Sequence, residues 1–245
     1  MTYGQFLMVF LLPVLALVAI WAWRKVPRPP LLPRPFGLTA SFLTAVAVLY
    51  TTPWDNYLVA AGIWTYPSDR TWGIRLGWVP LEEYLFFILQ TLLTTGWLWG
   101  WSARLSSRSP VSIPAWLVWS IGGALFMGAA AAWYSLFYGE ARYTYLGLIL
   151  GWALPVIAGQ WALGAQAFLQ HGKLLLVGII PPTLYLWIAD TIAIRLDIWH
   201  IAKETSTQLY LPGGLPIEEA IFFFITNLLI GLGFILVHTW GGERE

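Results

Sequence analysis

Seven long apolar runs constrain the fold of this 245-residue chain more than any other feature of its sequence. Only 10% of the residues are charged, against roughly 25% in an ordinary soluble domain. A helix needs about 20 mostly apolar residues to cross the hydrocarbon core of a bilayer. The sequence therefore predicts an all-α integral membrane protein with seven transmembrane helices. The predicted spans cover residues 4–23, 36–59, 80–101, 114–137, 145–168, 173–194 and 216–238.

A short motif with two adjacent glutamates stands at the head of two of these runs. Each copy has a proline before the glutamates and two phenylalanines after them. Upstream of each copy lies an aspartate that is followed, nine residues later, by a tryptophan. The first copy contains Asp55, Trp64, Pro80, Glu82, Glu83, Phe86 and Phe87; the second contains Asp190, Trp199, Pro216, Glu218, Glu219, Phe222 and Phe223. The copies are offset by 135 to 136 residues, which indicates an internal repeat.

The positions of the two motif copies among the seven spans predict an architecture of two parallel three-helix repeats. Residues 1–105 form the first unit, residues 106–138 contribute one linker transmembrane helix, and residues 139–245 form the second unit. Three spans reverse the direction of the chain, and the linker span restores it, so both units cross the membrane in the same orientation. We therefore expect all six motif carboxylates to converge near one end of the bundle.

The distribution of basic residues predicts a multi-pass protein of the cell membrane with an extracytoplasmic N-terminus. The loops on one side, with the C-terminus, hold eight Lys and Arg residues, and the loops on the other side hold five. The richer side is expected to be cytoplasmic. The motif carboxylates then lie on the outer side.

The duplicated carboxylates are the candidate catalytic residues: Asp55, Glu82, Glu83, Asp190, Glu218 and Glu219. A single glutamate pair at a helix N-terminus is explained by the helix dipole. Carboxylates next to lipid are costly, however, and a duplicated set predicts a functional site. A neutral carboxylic acid in an apolar pocket is a proton donor, and Arg75 or Arg195 is expected to hold another carboxylate ionised. The site would then contain both an acid and a base.

Aromatic residues near the carboxylates are predicted to form the walls of a substrate site. Most of the 17 tryptophans are explained by interfacial belts and packing. Aromatic faces also stabilise cations, so an acid enclosed by such rings suits carbocation chemistry. The candidate substrate-binding residues are Trp54, Trp64, Trp78, Tyr84, Phe86, Phe87, Trp199, Phe222 and Phe223.

Other classes of site receive little support from the sequence. A net charge of +1 does not suggest nucleic-acid binding, and the chain has no cysteine. Gly231-Leu232-Gly233 lacks the third glycine of a dinucleotide-binding loop, so no nucleotide cofactor is indicated. Asp197, His200 and Glu204 have helical spacing but no equivalents in the first repeat, so a solvated segment is favoured and no metal is predicted.

The repeated motif resembles the lycopene cyclase domain family of small integral-membrane enzymes. Both domain types of that family are represented over nearly the whole chain, which is similar to a fused single-chain form. Thr52-Pro53-Trp54-Asp55-Asn56 also fits the family pattern. Trp187-Ile188-Ala189-Asp190-Thr191 departs from it, because the Pro-Trp before the aspartate is missing.

The resemblance implies a lycopene β-cyclase of carotenoid biosynthesis. The expected reaction is the acid-catalysed, redox-neutral closure of the linear ends of lycopene to β-ionone rings, giving β-carotene via γ-carotene without a cofactor. The four glutamates would act as acid and base, with Asp55 and Asp190 orienting them. The expected partners are a hydrophobic carotenoid and the lipid bilayer. Contact with a second copy or with other carotenoid enzymes stays open, as do the γ and ε ring types and the cyclisation of one or both ends. The sequence also leaves open which glutamate of each pair is acid or base, and whether the two motifs form one composite site or two.

Three other functions compete with this interpretation. A proton-coupled membrane transporter is the main alternative, because membrane carboxylates and a twofold repeat fit it. A retinal protein needs a Schiff-base lysine in its last helix, and residues 216–238 contain none. A prenyltransferase needs clustered aspartates, whereas Asp55 and Asp190 each stand alone.

Overall fold

The computed structural model describes residues 1–24, 34–105, 109 and 111–239. Four basic residues used in the charge count, Lys25, Arg28, Arg108 and Arg244, lie outside these residues. Within the described chain, seven long helices follow one another in sequence order. They are α1 Tyr3–Trp23, α2 Phe36–Ala60, α3 Leu81–Ser102, α4 Ala115–Tyr138, α5 Thr144–Gln170, α6 Gly172–Arg195 and α7 Ile217–Thr239.

Among the described residues, six of these helices are apolar and long enough to span a membrane. Helix α3 is the exception. Helix α3 lies at one of the predicted spans but carries Gln90, Thr91, Thr94 and Thr95, all of them buried. Polar side chains are tolerated in such a helix because they face the bundle interior. Thr94 donates to Asn227 of α7 at 2.6 Å.

Helices α3 and α7 form the centre of the bundle and pack against each other. Helix α3 also packs against α1 and α2, and α7 packs against α5 and α6. Two further contacts cross between these groups, one of α3 with α6 and one of α7 with α2. Helix α4 packs mainly along α5 at the edge of the bundle. The two helices that carry the glutamate motifs therefore lie side by side.

Short strands close the end of the bundle at which α3 and α7 begin. Strand β1 (Trp64–Thr65) pairs antiparallel with β4 (His200–Ile201), and Thr65 lies opposite His200. Strand β2 (Arg75–Leu76) pairs with β3 (Val79–Pro80). Thr65 and His200 are 135 residues apart, so the β1–β4 pairing joins corresponding positions of the sequence repeat.

The chain enters α3 and α7 through similar loops. The Leu81 N–H donates to the Ile74 carbonyl at 2.9 Å, and the Ile217 N–H donates to the Leu209 carbonyl at 2.8 Å. Each loop contains a glycine in the left-handed region, with φ of 71° at Gly77, where a Cβ atom is disfavoured. The loops therefore place both glutamate pairs in the first turn of a helix.

Candidate active site

A small cavity, lined mostly by buried side chains, joins carboxylates from both halves of the chain. Its volume is about 20 Å³, and Glu83, Asp190 and Glu219 lie in its wall. The rest of the wall is aromatic and consists of Tyr3, Trp64, Tyr66, Phe86, Trp199, Phe222 and Phe223. A cavity of this size holds about one water molecule. The three carboxyl groups therefore share one compartment that excludes bulk water.

Glu83 accepts hydrogen bonds from two phenols. The hydroxyl of Tyr3 donates to its Oε2 at 2.5 Å, and the hydroxyl of Tyr66 donates to the same oxygen at 2.9 Å. Burial, and then the nearby Glu83, raise the pKa of Tyr66 well above its ordinary value, so this loop phenol keeps its proton. Hydrogen bonds donated to a carboxylate favour its ionised form.

Glu219 and Asp190 form the corresponding group of the second half, with different partners. The hydroxyl of Tyr145 donates to Glu219 Oε1 at 2.5 Å, and the indole N–H of Trp199 donates to Asp190 Oδ1 at 2.9 Å. The second carboxyl oxygen of Asp190 has no hydrogen-bond partner among the described residues. Asp190 and Glu219 share the cavity wall, and two carboxyl groups in one apolar site disfavour the ionisation of both.

The first glutamate of each motif faces the loops and not the cavity. The N–H of Trp72 donates to Glu82 Oε1 at 2.5 Å, and the N–H of Thr207 donates to Glu218 Oε1 at 2.6 Å. Both glutamates are fully buried. Neighbouring helical residues point about 100° apart, which explains why the second glutamate of each pair faces the cavity. Glu82 and Glu218 therefore anchor the loops that cover the site.

Asp55 lies behind Glu83 and is fully buried. Neither of its carboxyl oxygens has a hydrogen-bond partner among the described residues. It is not part of the cavity wall, unlike its counterpart Asp190. The two aspartates of the sequence repeat thus occupy different surroundings.

The expected arginine partners are absent from the site, and this prediction is wrong. Arg75 is exposed, and Arg195 donates through Nη2 to the Gly213 carbonyl at 2.5 Å. No salt bridge joins an arginine to a motif carboxylate in the part of the chain that the structure describes. A guanidinium would have to be desolvated to enter this compartment, which is costly, and neutral phenols replace it.

Most of the predicted aromatic residues lie in or directly behind the cavity wall. Trp64, Phe86, Trp199, Phe222 and Phe223 line the cavity. Trp54 stacks on Phe222 with ring centroids 5.6 Å apart, and Phe87 lines a neighbouring groove.

Two of the predicted aromatic residues do not reach the cavity. Trp78 is 60% exposed because it lies in the turn between β2 and β3. Tyr84 is buried, but its hydroxyl donates to the Leu76 carbonyl at 2.9 Å and accepts from Asn56. Trp78 belongs to the loop that leads into α3, and Tyr84, in the first turn of α3, contacts that loop.

Sequence reasoning missed the three phenols, Tyr3, Tyr66 and Tyr145. Tyr3 is the first residue of α1, and Tyr145 lies in the first turn of α5. Each donates a hydrogen bond to the second glutamate of a motif. The two tyrosines are 142 residues apart, which differs from the motif offset of 135 to 136, so extending the repeat in register does not pair them. Tyr66 corresponds to Ile201 at the offset of 135, so the repeat offers no signal for it.

Asp197, His200 and Glu204, for which the sequence predicts no metal site, are not in the cavity wall. Nδ1 of His200 and Oδ1 of Asp197 lie 3.9 Å apart, and both side chains are largely exposed. No group of three His, Cys, Asp or Glu residues with metal-binding geometry occurs among the described residues. The cavity offers carboxyl, phenol and indole groups, which suit proton transfer.

Comparison with known proteins relates this chain to one enzyme family. Residues 2–98 match the family model described as lycopene cyclase. The chain is 41% identical to the lycopene beta-cyclase of Halobacterium salinarum over 199 residues, which cover 81% of each protein. It is 42% identical over 202 residues to the bifunctional lycopene cyclase/phytoene synthase of Phaeosphaeria nodorum, and 37% identical over 210 residues to that of Arthroderma gypseum.

The extent of these matches differs between the relatives. The match covers 34% of the Phaeosphaeria nodorum protein and 35% of the Arthroderma gypseum protein, so the chain spans about a third of these bifunctional relatives. No solved structure matches the chain significantly. The archaeal match extends over most of both proteins, and on that ground the chain belongs to the lycopene cyclase family.

Proposed function

We propose that this protein cyclises the linear ends of lycopene to β-ionone rings in a cell membrane, in the carotenoid biosynthesis pathway. Its relatives named as lycopene cyclases support the reaction. The observation that carries the proposal is the small cavity in which Glu83, Asp190 and Glu219 meet aromatic rings. Such a compartment suits a reaction that moves protons and passes through a carbocation.

The reaction requires one acid and one base and leaves the composition of the substrate unchanged. A carboxylic acid adds its proton to the terminal double bond, which forms a C–H bond and a tertiary carbocation. The next double bond along the folded chain supplies the electron pair for the new ring C–C bond. A carboxylate then removes a ring proton, and the electrons of that C–H bond form the ring double bond. No electrons are exchanged with a cofactor.

The different surroundings of the carboxylates suggest how the two tasks are divided. Asp190 and Glu219 lie in the wall of one small cavity, where two carboxyl groups disfavour the ionisation of both, so one of this pair keeps a proton and acts as the acid. Glu83, which accepts from Tyr3 and Tyr66, acts as the base, because these donors favour its ionised form. Transfer of one proton across the cavity, from Glu83 back to the pair, resets the site for the next cycle.

The aromatic wall stabilises the carbocation between these two steps. Phe86, Trp199 and Phe223 present rings to the cavity, and a ring face attracts a cation. The rings also exclude water, which would otherwise trap the cation as an alcohol.

The architecture we propose for this function has two parallel three-helix repeats, residues 1–105 and 139–245, joined by the linker helix within residues 106–138. The corresponding contacts of α3 with α6 and of α7 with α2 support it. The end of the bundle that holds the cavity then lies on the extracytoplasmic side, together with the N-terminus, as the basic residues of the loops suggest.

Expression in lycopene-producing cells tests the proposed function. Cells with the wild-type chain should accumulate cyclic carotenoid, and cells with the Glu219→Gln variant should retain lycopene. Glu140→Gln is the matched control, because Glu140 is an exposed loop residue paired with Arg142. Chromatography of the pigments, with an immunoblot for membrane abundance, gives the readout. Unchanged lycopene in wild-type cells that contain the protein would refute the proposal and favour the transporter alternative.

A further inference from the structure

A long groove runs beside the carboxylate cavity, between α2 and α7, with further wall residues from α3 and α5. Its volume is about 520 Å³. Along α2 it extends from Leu38 to Thr51, a rise of about 20 Å at 1.5 Å per residue. Leu38 and Phe42 on its rim are 60% and 52% exposed. In a membrane the groove is therefore open to lipid along one side.

The wall of the groove is predominantly apolar, and several of its polar groups are already paired. Gln90 donates to the Thr226 hydroxyl at 2.8 Å, and Thr226 donates to the Phe222 carbonyl at 3.0 Å. Gln160 donates to the Leu229 carbonyl at 3.0 Å. A hydrocarbon chain fits such a wall, because it needs no hydrogen-bond partner.

The inner end of the groove reaches the carboxylate cavity. Phe222 lines both spaces, with Phe87 on the groove side and Phe223 on the cavity side. A rotation of the Phe222 ring would join them. The cavity of about 20 Å³ is too small for a folded chain end, so ring closure requires this connection to widen.

The corresponding seam on the other side of the bundle, between α3 and α6, is closed. Trp97 of α3 stacks on Trp21 at 4.8 Å and donates to the Val177 carbonyl at 2.8 Å. Gly178 packs so closely on Leu98 that an added Cβ atom would lie 2.1 Å from its Cδ2 atom. At the offset of 136, the counterpart of Trp97 is Gly233, which lies in the groove wall. At these described contacts the α3–α6 seam is closed, whereas the α2–α7 seam holds the groove.

We propose that this groove binds the linear polyene along its length and presents one end of it at a time to the Glu83, Asp190 and Glu219 cavity. The inference rests on the proposed function and adds the binding site and the order of events to it. Because the opposite seam is closed, the two ends of one molecule cannot be processed together. A molecule with one ring must leave and re-enter in the reverse direction before the second ring forms.

A matched pair of substitutions on α2 tests the groove. Ala47 lies in its wall and is half-buried, whereas Ala45 is exposed on another face of the same helix. In lycopene-producing cells, Ala47→Phe should lower the conversion to cyclic carotenoid at least about tenfold, because the substrate is displaced from the acid. Ala45→Phe, at equal abundance, should leave the conversion unchanged. Wild-type conversion in both variants would overturn the proposal. Should Ala47→Phe fail to accumulate, Val156→Phe on the opposite wall carries the same test.

Binding without turnover separates this proposal from the proposed function. The Glu219→Gln protein, purified in detergent from lycopene-producing cells, should carry lycopene after size-exclusion chromatography. Adding Ala47→Phe should remove most of the pigment, and adding Ala45→Phe should not. Equal pigment in both double variants, or a groove occupied by lipid acyl chains only, would refute the groove. Failure of the proposed function alone would appear as bound lycopene with no cyclic product in the wild-type protein.

Discussion

The two copies of the glutamate motif have nearly the same sequence but different surroundings. In the first copy, Glu83 accepts from two phenols, and Asp55 lies behind it without a hydrogen-bond partner. In the second copy, Glu219 accepts from one phenol and shares the cavity wall with Asp190, which accepts from Trp199. A duplicated motif therefore need not have a duplicated role, because the partners outside the motif set the protonation of each carboxyl group.

The largest expected effect comes from removing the carboxylates of the cavity. Glu83→Gln and Glu219→Gln should each lower the cyclisation rate by about 10²- to 10⁴-fold, the range for a general acid or base. The double variant should be little worse than either single variant, because the two residues act in one cycle. Rates are measured with lycopene in liposomes. Losses that multiply in the double variant would instead indicate two independent sites.

The next largest effect on the rate is expected from the phenols, and it should differ between the two copies of the motif. Tyr145→Phe removes the one phenol of Glu219, whereas Tyr3→Phe leaves Glu83 with Tyr66. A hydrogen bond to a charged group contributes about 1.5–3 kcal/mol, so Tyr145→Phe should cost roughly 10- to 100-fold in rate, and Tyr3→Phe less. The Tyr3→Phe/Tyr66→Phe double variant should lose as much as Tyr145→Phe does. Equal effects of the two single variants would contradict the asymmetry.

A smaller difference is expected between the two tryptophans of the repeat. Trp199 donates to Asp190 at 2.9 Å, whereas no hydrogen bond joins Trp64 to Asp55 in the described structure. Trp199→Phe keeps an aromatic ring but loses about 1 kcal/mol of hydrogen bonding, which should lower the rate several-fold. Trp64→Phe should have a weaker effect. A Trp64 variant more impaired than the Trp199 variant would show that packing, and not this hydrogen bond, dominates.

The smallest effect on the rate should come from the loop-facing glutamates. A glutamine at position 82 or 218 still offers a carbonyl oxygen to the N–H of Trp72 or Thr207. Glu82→Gln and Glu218→Gln should therefore stay within about threefold of the wild-type rate. Glu82→Ala removes the acceptor of the Trp72 N–H and should destabilise the protein by about 1 kcal/mol, the net value of one hydrogen bond, visible as a lower thermal midpoint in detergent. A Glu82→Gln loss as large as that of Glu83→Gln would reverse the assignment within the pair.

Much of the fold could be predicted because its strongest signals are local. Apolar length predicts the helices, and each of the seven predicted spans coincides with a long helix of the described chain. The adjacent glutamates could be placed at helix starts for the same reason. The Tyr66 contact could not be found in this way, because it depends on a loop returning across the helix ends to a residue 17 positions away.

The sequence by itself determined that this chain has apolar helices, a repeated carboxylate motif and a likeness to lycopene cyclases. Composition and spacing are sufficient for these conclusions, because each depends on residues close together along the chain. Only the tertiary structure decided which glutamate of each pair faces the cavity, that phenols and not arginines contact it, and that Glu83, Asp190 and Glu219 share one compartment. Those outcomes depend on how α3 and α7 pack side by side and on the loops that return across the helix ends. The two flanking seams differ for a similar reason: Trp97 fills one, and its sequence counterpart Gly233 lies in the groove wall of the other.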